Sequence, residues 1–273
     1  MEKIVFCDID GTILPTNKII SKTTIETINK LERKNIGFVL CSGRCRNRVL
    51  SVAKQADSSR FVICSNGADV YDFKNDIEIF KDKIDLYSIK KIYDLCEVLK
   101  LDILFKCGKL DFINHPFNAR TEAEVISKQD LKKMSEYGVA QINVMSENKE
   151  NLLKLVDIVN RMKKVEVSNL SKALIQPDDF SIDCDHTSLF IDINNKGITK
   201  GTGIEKLAEN LKIPLEQTLS IGDSINDLSM FERSSVDVAV YNSINELKNH
   251  ADVITKSNDN NGVAKFLERY FNL

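Results

Sequence analysis

Two aspartates, Asp8 and Asp10, follow the apolar run Ile4-Val5-Phe6-Cys7, and Gly11-Thr12 follows them at once. Like charges placed so close to a buried strand are costly unless a cation sits between them. Three more polar clusters stand directly after short apolar runs. Ser42-Gly43-Arg44 comes after residues 37–41, Ser65-Asn66-Gly67 after 61–64, and Gly222-Asp223-Ser-Ile-Asn226-Asp227 after 218–221. Asp8, Asp10, Asp223 and Asp227 are hard oxygen donors with no His or Cys among them, a set that suits Mg2+. A second group suits an anion: the Ser42 hydroxyl, the Gly43 amide near a helix start, the Lys200 ammonium near another helix start, and the Asn226 amide. Carboxylates alone would describe a calcium site. Carboxylates beside a lysine, a serine and backbone amides describe a metal with a phosphate.

Other patterns carry less. The stretch from Asp8 is no EF-hand, because the loop glycine would fall at Ile13 and the closing glutamate at Ile19. Gly197-Ile-Thr-Lys200-Gly201-Thr-Gly203 lacks the Gly-Lys-Ser/Thr order of a P-loop. Asp183 and Asp185 have no Gly-Thr after them and read as a solvated strand end. His115, His186 and His250 are isolated and read as surface residues. Arg46 reads as a solvated helix residue, and the stretch from Asn114 to Arg120 as a surface loop rather than a lid.

The elements that must position these residues alternate between strand and helix. Apolar runs at 3–7, 37–41, 61–64, 218–221 and 236–240 read as strands buried on both faces. A helix over 22–34 has Ser21 as its N-cap, and further helices fall at 200–211, 227–233 and 262–271. A hairpin is expected through Val70-Tyr71 and residues 77–80. In an open parallel sheet, ligands bind beyond the carboxyl ends of the strands, and all four polar clusters fall there. The middle of the chain differs. It reads as a helix over 86–99, strands at 101–107 and 110–114, a strand at 139–145, a helix at 148–162 and strands near 165–167, 172–176 and 180–184. Apolar and polar residues alternate there as in an antiparallel sheet with one exposed face.

Bulk properties narrow the partners. The chain has 273 residues and a formal charge of −2, with the two signs nearly balanced. No basic field points to nucleic acid and no polybasic stretch to a membrane. No apolar run is long enough to span a bilayer, and no signal-peptide pattern opens the chain. Seven cysteines are scattered without a CxxC pair, which suits buried thiols in a reducing cytoplasm. The expected setting is cytoplasmic, and the expected state a monomer or small homo-oligomer.

Asp8-Ile-Asp10-Gly11-Thr12, Cys41-Ser42-Gly43-Arg44, Lys200 and Gly222-Asp223-Ser-Ile-Asn226-Asp227 together resemble the four motifs of the haloacid dehalogenase superfamily of phosphatases. The large insert between the second and third motifs resembles that of the Cof-type subfamily (IIB), whose lid is an α/β "C2B" cap. Ser65-Asn66-Gly67-Ala68 and residues 258–264 match that subfamily's habits. One departure is Tyr241 before Asn242, where Met-Gly-Asn is common. The resemblance implies a Rossmann-like parallel-sheet core, residues 1–82 and 188–273, with an inserted α+β cap, residues 83–187, that selects substrate. It also implies Mg2+-dependent hydrolysis of a small phosphorylated metabolite, such as a sugar phosphate, in two steps. Asp8 attacks phosphorus and Asp10 serves as acid and then base. The ion is held by Asp8, the Asp10 carbonyl and Asp223, with Asp227 acting through water or by orienting Lys200. Ser42, Gly43, Lys200 and Asn226 hold phosphate, and Arg44 and Asn66 are possible contacts to the leaving group. A phosphomannomutase-like isomerase and a non-catalytic binder of phosphometabolites remain as alternatives.

Overall fold

The computed structural model describes residues 2–57, 60–117, 121–171, 174 and 189–273. The strands expected near 172–176 and 180–184 lie outside these residues except for position 174. So do Asp183, Asp185, Cys184, His186 and residues 118–120.

The described chain forms two compact units, 1–80 with 199–273 and 81–198. The first is built on an eight-stranded sheet. Its strands are β1 (Lys3–Asp8), β2 (Ile36–Cys41), β3 (Phe61–Cys64), β4 (Asp69–Asp72), β5 (Ile77–Lys81), β12 (Thr218–Gly222), β13 (Val236–Ala239) and β14 (Val253–Ile254), in the order β14-β13-β12-β1-β2-β3-β4-β5. From β14 to β3 neighbouring strands run parallel, and β4 turns back antiparallel to β3. Both faces are apolar because alternate residues feed different cores. Val5, Cys7, Phe38 and Leu40 pack on one side with Ile28 and Leu31 of α1 (Lys22–Arg33). Ile4, Phe6, Val39 and Ile63 pack on the other with Ile204 and Leu207. Each such fully buried side chain contributes about 1.5–3 kcal/mol. Helix α1 starts where expected, since the Ser21 side chain accepts the Thr24 amide.

Helix α2 (Arg46–Ala56) connects β2 to β3. Here the reading of Arg46 as solvated is overturned. Its guanidinium is buried, donates to both Asp69 carboxylate oxygens at 2.5 and 2.9 Å, and lies 4.1 Å from the Tyr71 ring centroid. Burial alone would weaken its charge, but Asp69 more than offsets that and strengthens it. The pair fastens the β4–β5 hairpin to the start of α2.

The second unit carries a six-stranded sheet. Its strands are β6 (Asp102–Lys106), β7 (Asp111–Ile113), β8 (Ala123–Val125), β9 (Gln141–Ser146), β10 (Val165–Leu170) and β11 (Leu189–Asn195), in the order β10-β11-β9-β6-β7-β8. All neighbours are antiparallel except β7 and β8. Helices α3 (Leu86–Leu99), α4 (Leu131–Glu136) and α5 (Lys149–Asn160) pack on one face, against Ile103, Phe105, Ile142, Val144, Ile191 and Ile193. The other face carries a buried polar network: Lys106 donates to Gln141 and, at 3.2 Å, to Asp192, which also accepts from Asn143 at 2.9 Å. Residues 188–198 were expected in the first unit. Of these, residues 189–198 are corrected to the second, because β11 pairs with β9 and β10 and its Ile191 and Ile193 complete that core. Asn114, expected in a surface loop, is buried, and its amide bonds Ile103, Leu101 and Glu97.

On the first sheet, Asp237 of β13 has a carboxyl pushed up to about 6, chiefly by burial and further by Asp252, against a hydrogen bond from Ser234. Its folded pKa therefore exceeds its unfolded one. Its contribution is fully present below pH ~4 and is lost as pH rises through about 6. Asp237→Asn should therefore raise the melting temperature relative to wild type more at pH 7.5 than at pH 4.5. Equal differences at the two values, read by thermal denaturation, would contradict this.

Candidate active site

Strands β12, β1, β2 and β3 lie side by side and parallel, so their carboxyl ends form one edge. Asp8 is the last residue of β1, and Ser42, Ser65 and Asp223 each follow the last residue of their strands. Sequence positions more than 200 apart are thereby brought together by strand register alone.

At the centre is an ammonium. Lys200, the first residue of α6 (Lys200–Leu211), is 1% exposed and donates to Asp8 Oδ1 and Asp227 Oδ1, each at 2.6 Å. Thr199 caps this helix, accepting the Thr202 amide. Burial opposes the Lys200 charge, but Asp227 and Asp8 outweigh it and hold the ammonium protonated. The second Asp227 oxygen accepts the Asp223 and Ser224 amides at 2.9 Å each. Both Asp227 oxygens thus serve the lysine and the loop. Carboxylate oxygens of Asp8, Asp223 and Asp227 all lie within 4.8 Å of one another, and all three residues are buried. Burial drives the Asp8 carboxyl well above its ordinary range; Lys200 pulls it back, while Asp227 and Asp223 push it further up.

The loop after β1 is shaped around Asp223. Gly11 has φ +78°, and a Cβ there would meet Asp223 Oδ2 at 2.6 Å. Thr12 donates its hydroxyl to Asp223 Oδ1 at 3.2 Å. Asn242 donates to the Gly11 carbonyl at 2.8 Å and accepts the Asn258 amide, Asn258 in turn donates to the Leu14 carbonyl, and Asp259 accepts from Thr16. These C-terminal anchors were not assigned a role from sequence. The signal for them was the asparagine cluster at 258–261.

Asp10 faces differently. Its side chain is 47% exposed and forms a bidentate pair with Arg44, with Nε to Oδ2 at 2.7 Å. Burial pushes this carboxyl up, but Arg44 prevails and holds it below the usual range. Arg44 thus meets Asp10, and its amide donates to Ser42 Oγ at 3.2 Å.

Ser42, Gly43, Asn66 and Asn226 form the opposite wall. The Asn66 amide donates to the Ser42 carbonyl, and Asn226 donates to Asn66 Oδ1 at 3.2 Å. Ser65, Asn66 and Gly67 all take positive φ, and the first two are not glycine. Such conformations cost of order 1–3 kcal/mol each and persist only where the surroundings enforce them. The enforcement is visible at Gly67, where a Cβ would sit 1.8 Å from the Thr199 carbonyl oxygen. The strained turn thereby presses the first turn of α6, and with it Lys200, into place. Tyr241 is 69% exposed at the C-terminal end of β13, with the Lys248 ammonium 5.2 Å from its ring centroid, so it does not fill the core.

With that geometry in hand, the comparisons are specific. A family model described as haloacid dehalogenase-like hydrolase matches residues 5–267. Phosphatase YwpJ of Bacillus subtilis is 26% identical over 97% of this chain and 99% of its own. The 5-amino-6-(5-phospho-D-ribitylamino)uracil phosphatase YwtE of the same organism is 27% identical over 98% and 97%. The crystal structure of a haloacid dehalogenase-like hydrolase from Bacteroides thetaiotaomicron superposes with TM-score 0.83 at 22% identity, covering 99% of this chain and all of that one.

Gly67→Ala should destabilise the fold by about 3 kcal/mol or more, since strain and a backbone clash act together. Gly197 has φ +78° but nothing within 4 Å of an added Cβ, so Gly197→Ala should cost only about 1 kcal/mol. Denaturant titration compares the two, and equal costs would refute the role given to the Gly67 contact.

Proposed function

The chain belongs to the haloacid dehalogenase-like hydrolase family, and on that footing we propose that it is a Mg2+-dependent phosphatase of small phosphorylated metabolites acting through an aspartyl-phosphate on Asp8. The observation that carries the proposal is the buried Lys200 ammonium shared by Asp8 and Asp227 with Asp223 alongside. Three carboxylates against one ammonium leave a formal charge of −2 in a buried site. The residues therefore fit a hard divalent cation, held by the Asp8 and Asp223 carboxylates and the Asp10 carbonyl. Asp227, with both oxygens engaged, orients Lys200. When bound, the ion draws negative charge from the phosphoryl oxygens and favours ionised Asp8.

The residues then divide the work. The Asp8 carboxylate attacks phosphorus in line, and Lys200 offsets charge on the transferred group. The Ser42 hydroxyl, Gly43 amide and Asn226 amide orient the remaining phosphoryl oxygens. Asp10 gives its proton to the leaving alcohol, then takes one from the water that hydrolyses the intermediate. Arg44 is the group that Asp10 must exchange for substrate. The second unit supplies substrate choice. The likeness to YwtE, a 5-amino-6-(5-phospho-D-ribitylamino)uracil phosphatase, supports a sugar-like or polyol-like phosphate as the substrate class. The six described cysteines are buried thiols, which suits a reducing, cytoplasmic setting.

A phosphate-release screen over phosphorylated metabolites, with and without Mg2+, tests the proposal. Asp8→Asn should keep the fold and lose at least about a thousandfold in turnover; near-normal release by that variant would refute the assignment. Asp10→Asn should slow alkyl phosphates at least about tenfold more than aryl phosphates, because only the poor leaving group needs the proton. Equal losses on the two substrates would remove Asp10 as the acid.

A further inference from the structure

We infer that Asn66 is a positioning residue for the phosphate: its side-chain oxygen turns the Asn226 amide so that an N–H of Asn226, rather than its carbonyl oxygen, meets the phosphoryl group. The inference rests on the phosphatase reading above and adds a residue to it. The sequence pattern alone makes Asn66 a possible contact to the leaving group. At 1% exposure, however, it offers a substrate almost no surface.

Several constraints seat the Asn66 side chain. Its backbone is held at φ 53° and ψ 38°. Its amide donates to the Ser42 carbonyl at 3.1 Å, and the neighbouring Ser65 amide donates to the Arg44 carbonyl at 2.9 Å. Gly43 leaves the space beside it, since a Cβ there would meet Asn66 Oδ1 at 2.9 Å. Asn226 Nδ2 donates to that same oxygen at 3.2 Å. Among the described residues, Asn66 is the hydrogen-bond partner of the Asn226 side chain. Glycine would take this backbone conformation at no steric cost. An asparagine here therefore adds something that the turn itself does not need, and what it adds is the acceptor.

That acceptor matters because an asparagine amide is nearly symmetric in shape but not in charge. Its χ2 torsion is broad and roughly two-fold, so an unguided Asn226 could turn nitrogen or oxygen toward the same point. The oxygen would repel a phosphoryl oxygen, whereas the nitrogen would bond to it. Asn66 Oδ1 can only accept, so it selects the nitrogen. The Asn226 amide has two N–H donors. One goes to Asn66, and the second is left for phosphate. Asn226 is only half-buried on the turn 225–227, so the bond to buried Asn66 is what makes its orientation definite.

Inorganic phosphate is the probe, titrated by calorimetry into the full chain with Mg2+ present. Asn66→Gly should weaken phosphate binding about tenfold in the wild-type background, and less than about twofold in an Asn226→Ala background. Asn66→Ala forces a β-carbon into the left-handed conformation and should be the less stable of the two variants. It should nonetheless bind phosphate as weakly as Asn66→Gly and no weaker. In heteronuclear NMR the Asn226 side-chain amide should shift on adding phosphate to wild type, and hardly at all in Asn66→Gly. Equal losses in the two backgrounds would overturn the inference, as would affinities that follow the stabilities of the Gly and Ala variants, or an equal amide shift in wild type and Asn66→Gly. Undiminished binding by Asn66→Gly would overturn it too and leave the phosphatase reading standing. A wild type that binds no phosphate would bring down both.

Discussion

One buried ammonium governs the first unit. Lys200 stands between Asp8 and Asp227 at 2.6 Å from each, with Asp223 close by. Taking these groups out of water is expensive, and a lone lysine does not balance three carboxylates. Burial first, and then Asp227 and Asp223, drive the Asp8 carboxyl up against the pull of Lys200. The site thus carries net negative charge, which suits a divalent cation. Losing Lys200 would leave Asp8 and Asp227 facing each other unscreened, so the residue bears on folding as well as on chemistry.

The fold exists in large part to hold that ammonium still. The parallel register of β12, β1, β2 and β3 sets the four strand ends on one edge. Fine placement comes from close backbone approaches rather than from further salt bridges. Gly11 leaves room for the Asp223 carboxylate, and Gly67 abuts the Thr199 carbonyl. The cost is the strained turn at Ser65-Asn66-Gly67. A cheaper turn would draw the β3 loop away from α6 and loosen both Lys200 and the Asn226–Asn66 contact.

Much of this was legible in the sequence because the information is local. A buried strand followed by a polar cluster needs only a few consecutive residues to recognise, and the α/β alternation needs only periodicity. What escaped depends on distant partners. Arg46 looks like any helix-surface arginine until Asp69, 23 residues on, is folded beside it. The Asp10–Arg44 pair, the two duties of Asp227 and the anchoring by Asn242 and Asn258 are likewise tertiary facts. The misplaced boundary at 188 has the same origin. Residues 189–195 alternate plausibly for either sheet, and only pairing with β9 and β10 assigns them.

Asp8 and Asp10 are the same chemical group two positions apart, and the structure treats them oppositely. Asp8 is buried against a lysine, and its carboxyl is driven up; Asp10 is half exposed against an arginine, and its carboxyl is held down. Environments that separate two carboxyl groups in this way are how one site performs distinct acid and base tasks. With Arg44 beside it Asp10 is held ionised, the state that the proposed water step requires of a base. To act as an acid toward a leaving alcohol, as the proposed mechanism has it, Asp10 must first lose Arg44 and take up a proton from solvent. A substrate that brings its own anionic or hydroxyl-rich group to Arg44 would free Asp10 to take up the proton that it then gives to the leaving group. On the proposed mechanism the pair would link substrate recognition to proton transfer, and it would favour substrates whose leaving group is polar enough to engage a guanidinium.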